Sequence, residues 1–119
     1  MGNAPRTAGG RFNPNKLWSN TTTSFAAQTV KINNLKSYKW LIIAYAPSRL
    51  SPLQYMLVKN SPGDLIYLQT SVDTMHYRTV TINENALIFG DNYYYTSYNS
   101  SVTKAANTHT VPVAVYGIR

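Results

Sequence analysis

The sequence predicts an all-β domain: an antiparallel β-sandwich of jelly-roll-like form, or a small barrel, with about eight strands behind an extended N-terminal arm. Short apolar or alternating stretches rich in Val, Ile, Thr and Tyr recur along the chain, and turn residues interrupt them roughly every ten positions. No convincing helix stands between them; "SVTKAANT" (101–108) has at most the makings of one turn. The 119 residues suffice for one domain that buries roughly two-thirds of its unfolded surface, and are too few for two ordinary ones.

Residues 1–16 read as the arm, with Gly9, Gly10 and Pro14 opposing helix, and residues 17–119 as the domain. In "SFAAQTVKI" (24–32), alternation places Ala26, Gln28, Val30 and Ile32 on one face and Phe25, Ala27, Thr29 and Lys31 on the other. "KWLIIAYA" (39–46) has the character of a central strand buried on both faces, ending before Pro47. "LQYMLVK" (53–59) follows, and "SPG" (61–63) turns the chain into "DLIYLQT" (64–70), which alternates around Ile66 and Leu68. "HYRTVTI" (76–82) sets Tyr77, Thr79 and Thr81 against Arg78, Val80 and Ile82, and "NEN" (83–85) makes a tight hairpin into "ALIFGD" (86–91). A Gly-Asp-Asn turn signal separates that strand from "NYYYTSY" (92–98). The last strand, "TVPVAVYGI" (110–118), is apolar enough to belong to the core; Pro112 points to an edge position or a strand start.

Composition narrows the chemistry. With no cysteine, disulfides, thiolate metal sites and cysteine nucleophiles are excluded. Charged residues make up 13% of the chain, about half the usual share, so the polar surface is built mainly from amides, hydroxyls and tyrosine. The N-terminal stretch is polar and does not read as a signal peptide. "WLIIAYA" is far shorter than the roughly 20 residues of a membrane span. The net charge of +7 is concentrated: residues 1–39 hold Arg6, Arg11, Lys16, Lys31, Lys36 and Lys39 and no acid. A basic arm calls for an acidic partner, either nucleic acid or an acidic protein surface.

Catalytic signatures are lacking. His76 and His109 stand alone, without metal-ligand spacing, and read as surface or strand-end residues. Asp64, Asp73, Glu84 and Asp91 each sit in or beside a turn, which accounts for them; a glycosidase pair of Glu84 with Asp91 is the least favoured alternative. "AGGRF" lacks the strand and the Lys-Ser/Thr ending of a phosphate loop. The sequons at Asn20 and Asn99 read as polar loop composition. The expectation is a non-enzyme with no cofactor and no metal.

Tyrosine is the enriched residue, at ten copies. Tyr38, Tyr45, Tyr55, Tyr67, Tyr77 and Tyr116 fall one to a strand, as core or sheet-surface residues. The run Tyr93, Tyr94, Tyr95 and Tyr98 is different. Alternation puts Tyr93 and Tyr95 on one face and Tyr94 on the other, and both faces cannot be bulk solvent without exposing a large aromatic patch. Plain core packing accounts for one face. The other is a candidate interface, formed with Asn92, Asn99 and Ser100, toward a ligand or a sister subunit.

"LWSNTTTSFAAQTVKI" (17–32), "YKWLIIAYAPS" (38–48), "RTVTINENALIFGD" (78–91) and "VPVAVYGIR" (111–119) stand in an order and spacing that resembles the C-terminal β-domains of tail-fibre and related virion proteins from phages of Gram-positive bacteria. The resemblance covers nearly everything after residue 16 and contains no catalytic motif. It implies a virion structural or adhesion domain, often trimeric, found in virions assembled in the host cytoplasm. The departure is that only the basic arm precedes the domain here, where fibre proteins carry a long shaft. On this reading Arg6, Arg11 and Lys16 anchor the chain to other virion proteins, as in a head fibre or a capsid decoration protein. The tyrosine cluster then meets a sister subunit or a bacterial surface glycan. A nucleic-acid-binding barrel is the competing expectation. It is disfavoured because the basic residues concentrate in the arm and the tyrosines near the C-terminus.

Overall fold

A computed structural model describes residues 14–50, 52–71, 75–96 and 101–119. Among the described residues nine strands form two sheets: β1 (Asn15–Ser19), β2 (Gln28–Lys31), β3 (Trp40–Ser48), β4 (Gln54–Lys59), β5 (Leu65–Ser71), β6 (Met75–Ile82), β7 (Ala86–Thr96), β8 (Ser101–Lys104) and β9 (His109–Ile118). The first sheet has the order β1-β9-β3-β4. The second has the order β2-β7-β6-β5, with β8 paired to the C-terminal half of β7. All pairings are antiparallel. The sandwich expectation holds, and the closed barrel gives way to two separate sheets.

Leu41, Ile43, Tyr45, Val111 and Val115 from the first sheet meet Val30, Leu68, Val80, Ile82, Leu87 and Phe89 from the second in one buried cluster. The alternation read from the sequence sets these positions, because successive strand residues face opposite sides. Phe25 joins the core from the segment before β2, packing edge-on to Phe89 at 5.3 Å and to Trp18 at 5.7 Å. The strand there is shorter than the sequence implies, four residues, and because the chain before it is not extended Phe25 is buried together with Val30 and Ile32 rather than on the opposite face. The "NEN" hairpin closes as predicted, Asn83 N–H donating to the Ala86 carbonyl at 2.9 Å. "SPG" also turns the chain, with Gly63 at φ 97, but it carries the chain from one sheet to the other rather than forming a hairpin.

Four expectations are corrected. β3 continues through Pro47 to Ser48; Pro47 lies two residues past Tyr45, the last residue paired to β4. β9 is not an edge strand but lies between β1 and β3, and Pro112 is accommodated at a register shift between Pro112 and Ala114. A bulge is one of the few places a central strand tolerates the missing N–H. Residues 101–104 form a strand rather than a helical turn; the helical turn among the described residues is a 3-10 turn at Leu35–Ser37. Finally, "GDN" is not a turn. β7 runs unbroken for 11 residues, and its register against β6 slips where Thr79 faces Gly90 and Asp91. Gly90 is needed there: a Cβ on it would lie 2.6 Å from Thr79 Oγ1.

Lys16, assigned to the arm, lies within β1 with its Nζ 6.0 Å from the centre of the Tyr116 ring. Arg6 and Arg11 lie outside the described residues, as do Asp73, Tyr98, Asn99 and Ser100. Asn20 plays a structural part. Its amide donates to the Pro112 and Thr22 carbonyls at 2.9 and 3.0 Å, tying the loop after β1 to β9.

Candidate functional site

The bulge at Gly90–Asp91 decides which way the tyrosines point. Before it, Leu87 and Phe89 face the core; after it, Asn92 and Tyr94 point inward and Tyr93 and Tyr95 outward. The alternation expected for Tyr93, Tyr94 and Tyr95 is therefore present, and the two faces differ in chemistry.

Outward, Tyr93 stacks on Tyr77 at 5.6 Å with 23° between planes, and Tyr77 meets Tyr67 at 5.6 Å. The surrounding rows follow from strand register. Leu65, Thr81, Ile88 and Thr29 form one, Gln69, Tyr77, Tyr93 and Lys104 another, and Ser71, Met75, Tyr95 and Val102 a third. These three rows carry a single charged residue, Lys104, which pairs with Asp91 at 3.2 Å. That pair holds the Asp91 carboxyl below its ordinary value, chiefly through the Lys104 hydrogen bond. Cross-strand aromatic stacking contributes about 0.2–1 kcal/mol per pair and explains the tyrosines as good sheet formers. It does not explain Leu65, Met75, Ile88 and Val102 on the same surface, with Leu65 and Val102 more than half exposed. Strand spacing and rise make this face roughly 20 Å by 20 Å, about 400 Å² in plan. That falls in the range of the largest patch on a typical monomer, which is often functional. The outer face of the first sheet is also apolar, with exposed Trp40, Tyr55 and Leu57 beside Ile42 and Tyr116, and Lys16 and Lys59 at its margins.

Inward lies a polar network that joins the two sheets. Arg78 is fully buried on β6, in phase with Val80 and Ile82. Its Nε donates to the Thr110 carbonyl at 2.9 Å, Nη1 to Gly90 at 2.7 Å and Nη2 to His109 at 3.3 Å. Burial lowers the guanidinium pKa to about 10, with nearby Asp91 opposing the shift, so at neutral pH the charge is buried. Thr110 sits at φ 49, a rare conformation for a β-branched residue, with its hydroxyl 3.0 Å from that of Thr70. Asn92 is also fully buried. Its amide donates to the Ala106 carbonyl at 2.9 Å and reaches His76 Nδ1 at 3.3 Å, which puts the proton of neutral His76 on Nε2.

The two histidines are not isolated. His76 and His109 stack in parallel, ring centres 4.2 Å apart and planes 5° from parallel, with Tyr94 6.0 Å from His76. Burial lowers the His76 pKa, and the charge of His109 lowers it further. Parallel rings direct their in-plane lone pairs side by side rather than to one point, so the pair is a poor chelate. No group of three or more His, Cys, Asp or Glu side chains converges among the described residues. Alternation already put Arg78 in phase with core residues, and His76 shares that phase. Its meeting with His109 comes only from the packing of one sheet on the other.

Two clefts flank His109 at this end of the sandwich. One, of about 330 Å³, is lined by His76, Tyr94, Ala105, Ala106 and His109; the other, of about 350 Å³, by Thr23, Ser48, Arg49, Thr108 and His109. Glu84 and Asp91 are not brought together as a glycosidase pair. Glu84 lies in the β6–β7 hairpin and Asp91 five residues past Ala86 along β7, a separation on the order of 15–20 Å where such chemistry needs roughly 5–10 Å. No described helix is long and apolar enough to cross a membrane. Comparison with protein families, curated proteins and solved structures finds no match to this chain.

Proposed function

We propose that this chain is a non-enzymatic virion domain of the tail-fibre or head-fibre kind, which assembles with copies of itself and attaches to a surface partner. The observation that carries the assembly half is the outer face of the second sheet: three ordered tyrosines flanked by exposed Leu65, Met75, Ile88 and Val102. Fully burying such a side chain is worth roughly 1.5–3 kcal/mol, several times the stacking gain of leaving it on an open sheet, so the face is best explained by being covered. A second copy is the occupant, because the three rows hold one charge, Lys104, already paired with Asp91, and call for an equally apolar mate. The virion placement rests on the resemblance of residues 17–119 to fibre domains, and the trimer on the same ground. Arg6 and Arg11, with Lys16 at the base of the arm, supply the anchor to other virion proteins.

Light scattering at low and high salt tests this. The expected result is a salt-insensitive trimer that falls to a monomer in the Tyr77→Ser/Tyr93→Ser double variant, while Leu57→Ser on the other sheet leaves the mass unchanged. A wild-type monomer at both salts would overturn self-assembly. The decoration reading, docking by the arm alone, would then stand in its place.

A further inference from the structure

We propose that the end of the sandwich around His109 is a binding site for an anionic saccharide. The clefts on either side of His109 share it as a wall and differ in chemistry. In the first, Ala105 and Ala106 form a small apolar floor beside the rings of Tyr94 and His76, a surface suited to the C–H face of a sugar ring. This cleft is open to solvent, so a sugar ring can lie against that floor from outside. The second is lined by Arg49 with Thr23, Ser48, Thr108 and His109, a residue set that offers a guanidinium, hydroxyls and an imidazole. A guanidinium recognises a carboxylate or phosphate through paired hydrogen bonds, and the hydroxyls suit the ring's own hydroxyls.

Charge selects an anion over a neutral sugar. None of the described residues lining either cleft is acidic. Of the three described acids, Asp64 and Glu84 lie in turns at the opposite end of the strands, and Asp91 is engaged by Lys104. Arg49 makes no ion pair with a described residue. Backbone strain gathers at the same end: among the described residues, Arg49 at φ 56 and Thr110 at φ 49 are two of three non-glycine residues with positive φ, the third being Asn34, a type that tolerates it. Held strain of this sort tends to accompany a surface kept in shape for a ligand. The site supplies the attachment half of the function proposed above, on which it rests, and lies at the strand ends, clear of both outer sheet faces. Its failure is therefore read separately from a failure of assembly.

The test is an NMR titration at about pH 6, following the C2–H signals of His76 and His109 and the ring signals of Tyr94. The probes are glucuronate, glucose 1-phosphate, glucose and inorganic phosphate. The expected result is saturable shifts of all three residues with glucuronate or glucose 1-phosphate in the millimolar range, and at least about tenfold weaker binding of glucose. Arg49→Asn, which accepts the same backbone conformation without the charge, should weaken the acidic sugars about tenfold with an unchanged unfolding midpoint. Inorganic phosphate acting as strongly as glucose 1-phosphate, with Tyr94 unmoved, would overturn the saccharide part. Glucose binding as well as glucuronate, with Arg49→Asn silent, would overturn the anionic part. No shift with any probe would overturn the site.

Discussion

The Nε of Arg78 on β6 donates to the carbonyl of Thr110 on β9, 2.9 Å away, and so bonds the second sheet to the first across the buried space between them. Two more carbonyls, of Gly90 and His109, complete its shell. Arg78→Ala leaves three acceptors without their donor. Each unsatisfied buried group costs about 1–3 kcal/mol, and loss of a buried charge network typically costs about 3–5 kcal/mol in total. Urea unfolding should show a loss of that size, with Arg78→Lys recovering only part of it because an ammonium cannot span three carbonyls in a fixed fork. A loss under about 1 kcal/mol would mean that the network contributes little.

The stacked pair His76 and His109 predicts acid sensitivity. Burial holds the His76 pKa below its ordinary 6.5, so the unfolded chain takes up the proton first as pH falls. The contribution to stability is complete above 6.5, declines as pH drops from there toward the folded pKa, and levels off once both states are protonated. Denaturant midpoints measured from about pH 7.5 to about pH 5 should fall, and His76→Gln should flatten that fall. Equal slopes for the two proteins would remove His76 as the cause.

Gly117 has no room for a side chain: a Cβ there would lie 2.5 Å from Cδ1 of the Tyr38 ring and 2.9 Å from Leu17 Cδ1. Gly117→Ala should destabilise by about 1–3 kcal/mol, the usual range for overpacking. Adding Tyr38→Leu should give a double variant less destabilised than the sum of the singles. Additive losses would mean that the ring is not the obstacle.

Removal of residues 111–119 should abolish folding, since β9 is hydrogen-bonded to β1 on one side and β3 on the other and contributes Val111 and Val115 to the core. Circular dichroism and proton NMR of the shortened chain would show a loss of dispersed signals. A folded product would mean that the two sheets hold without their link through β9.

Strand positions and inward residues were legible wherever two-residue alternation ran undisturbed. Val80 and Ile82 against Thr79 and Thr81 are buried or turned out as their order demands, whereas "KWLIIAYA", expected to be buried on both faces, buries Leu41, Ile43 and Tyr45 and leaves Trp40 exposed on the outer face of a sheet covered on one side. Alternation misleads where a strand carries an extra residue. "GDN" has the composition of a turn and is a bulge, and Pro112 has the mark of an edge and sits at a bulge in a central strand. In both cases the neighbouring strand, which local sequence does not reveal, decides whether the chain bends back or runs on.

The sequence by itself determined an all-β chain, the two-faced tyrosine run and the absence of thiol chemistry, because composition and short-range periodicity act through each residue's own backbone. Only the tertiary structure decided the rest. It placed Tyr77 and Tyr67 beside Tyr93, and stacked His76 on a His109 that stands 33 residues away in the chain. It also buried Arg78 among carbonyls of two other strands. Those meetings depend on strand register and on how one sheet lies over the other, and both are set by packing the whole core at once.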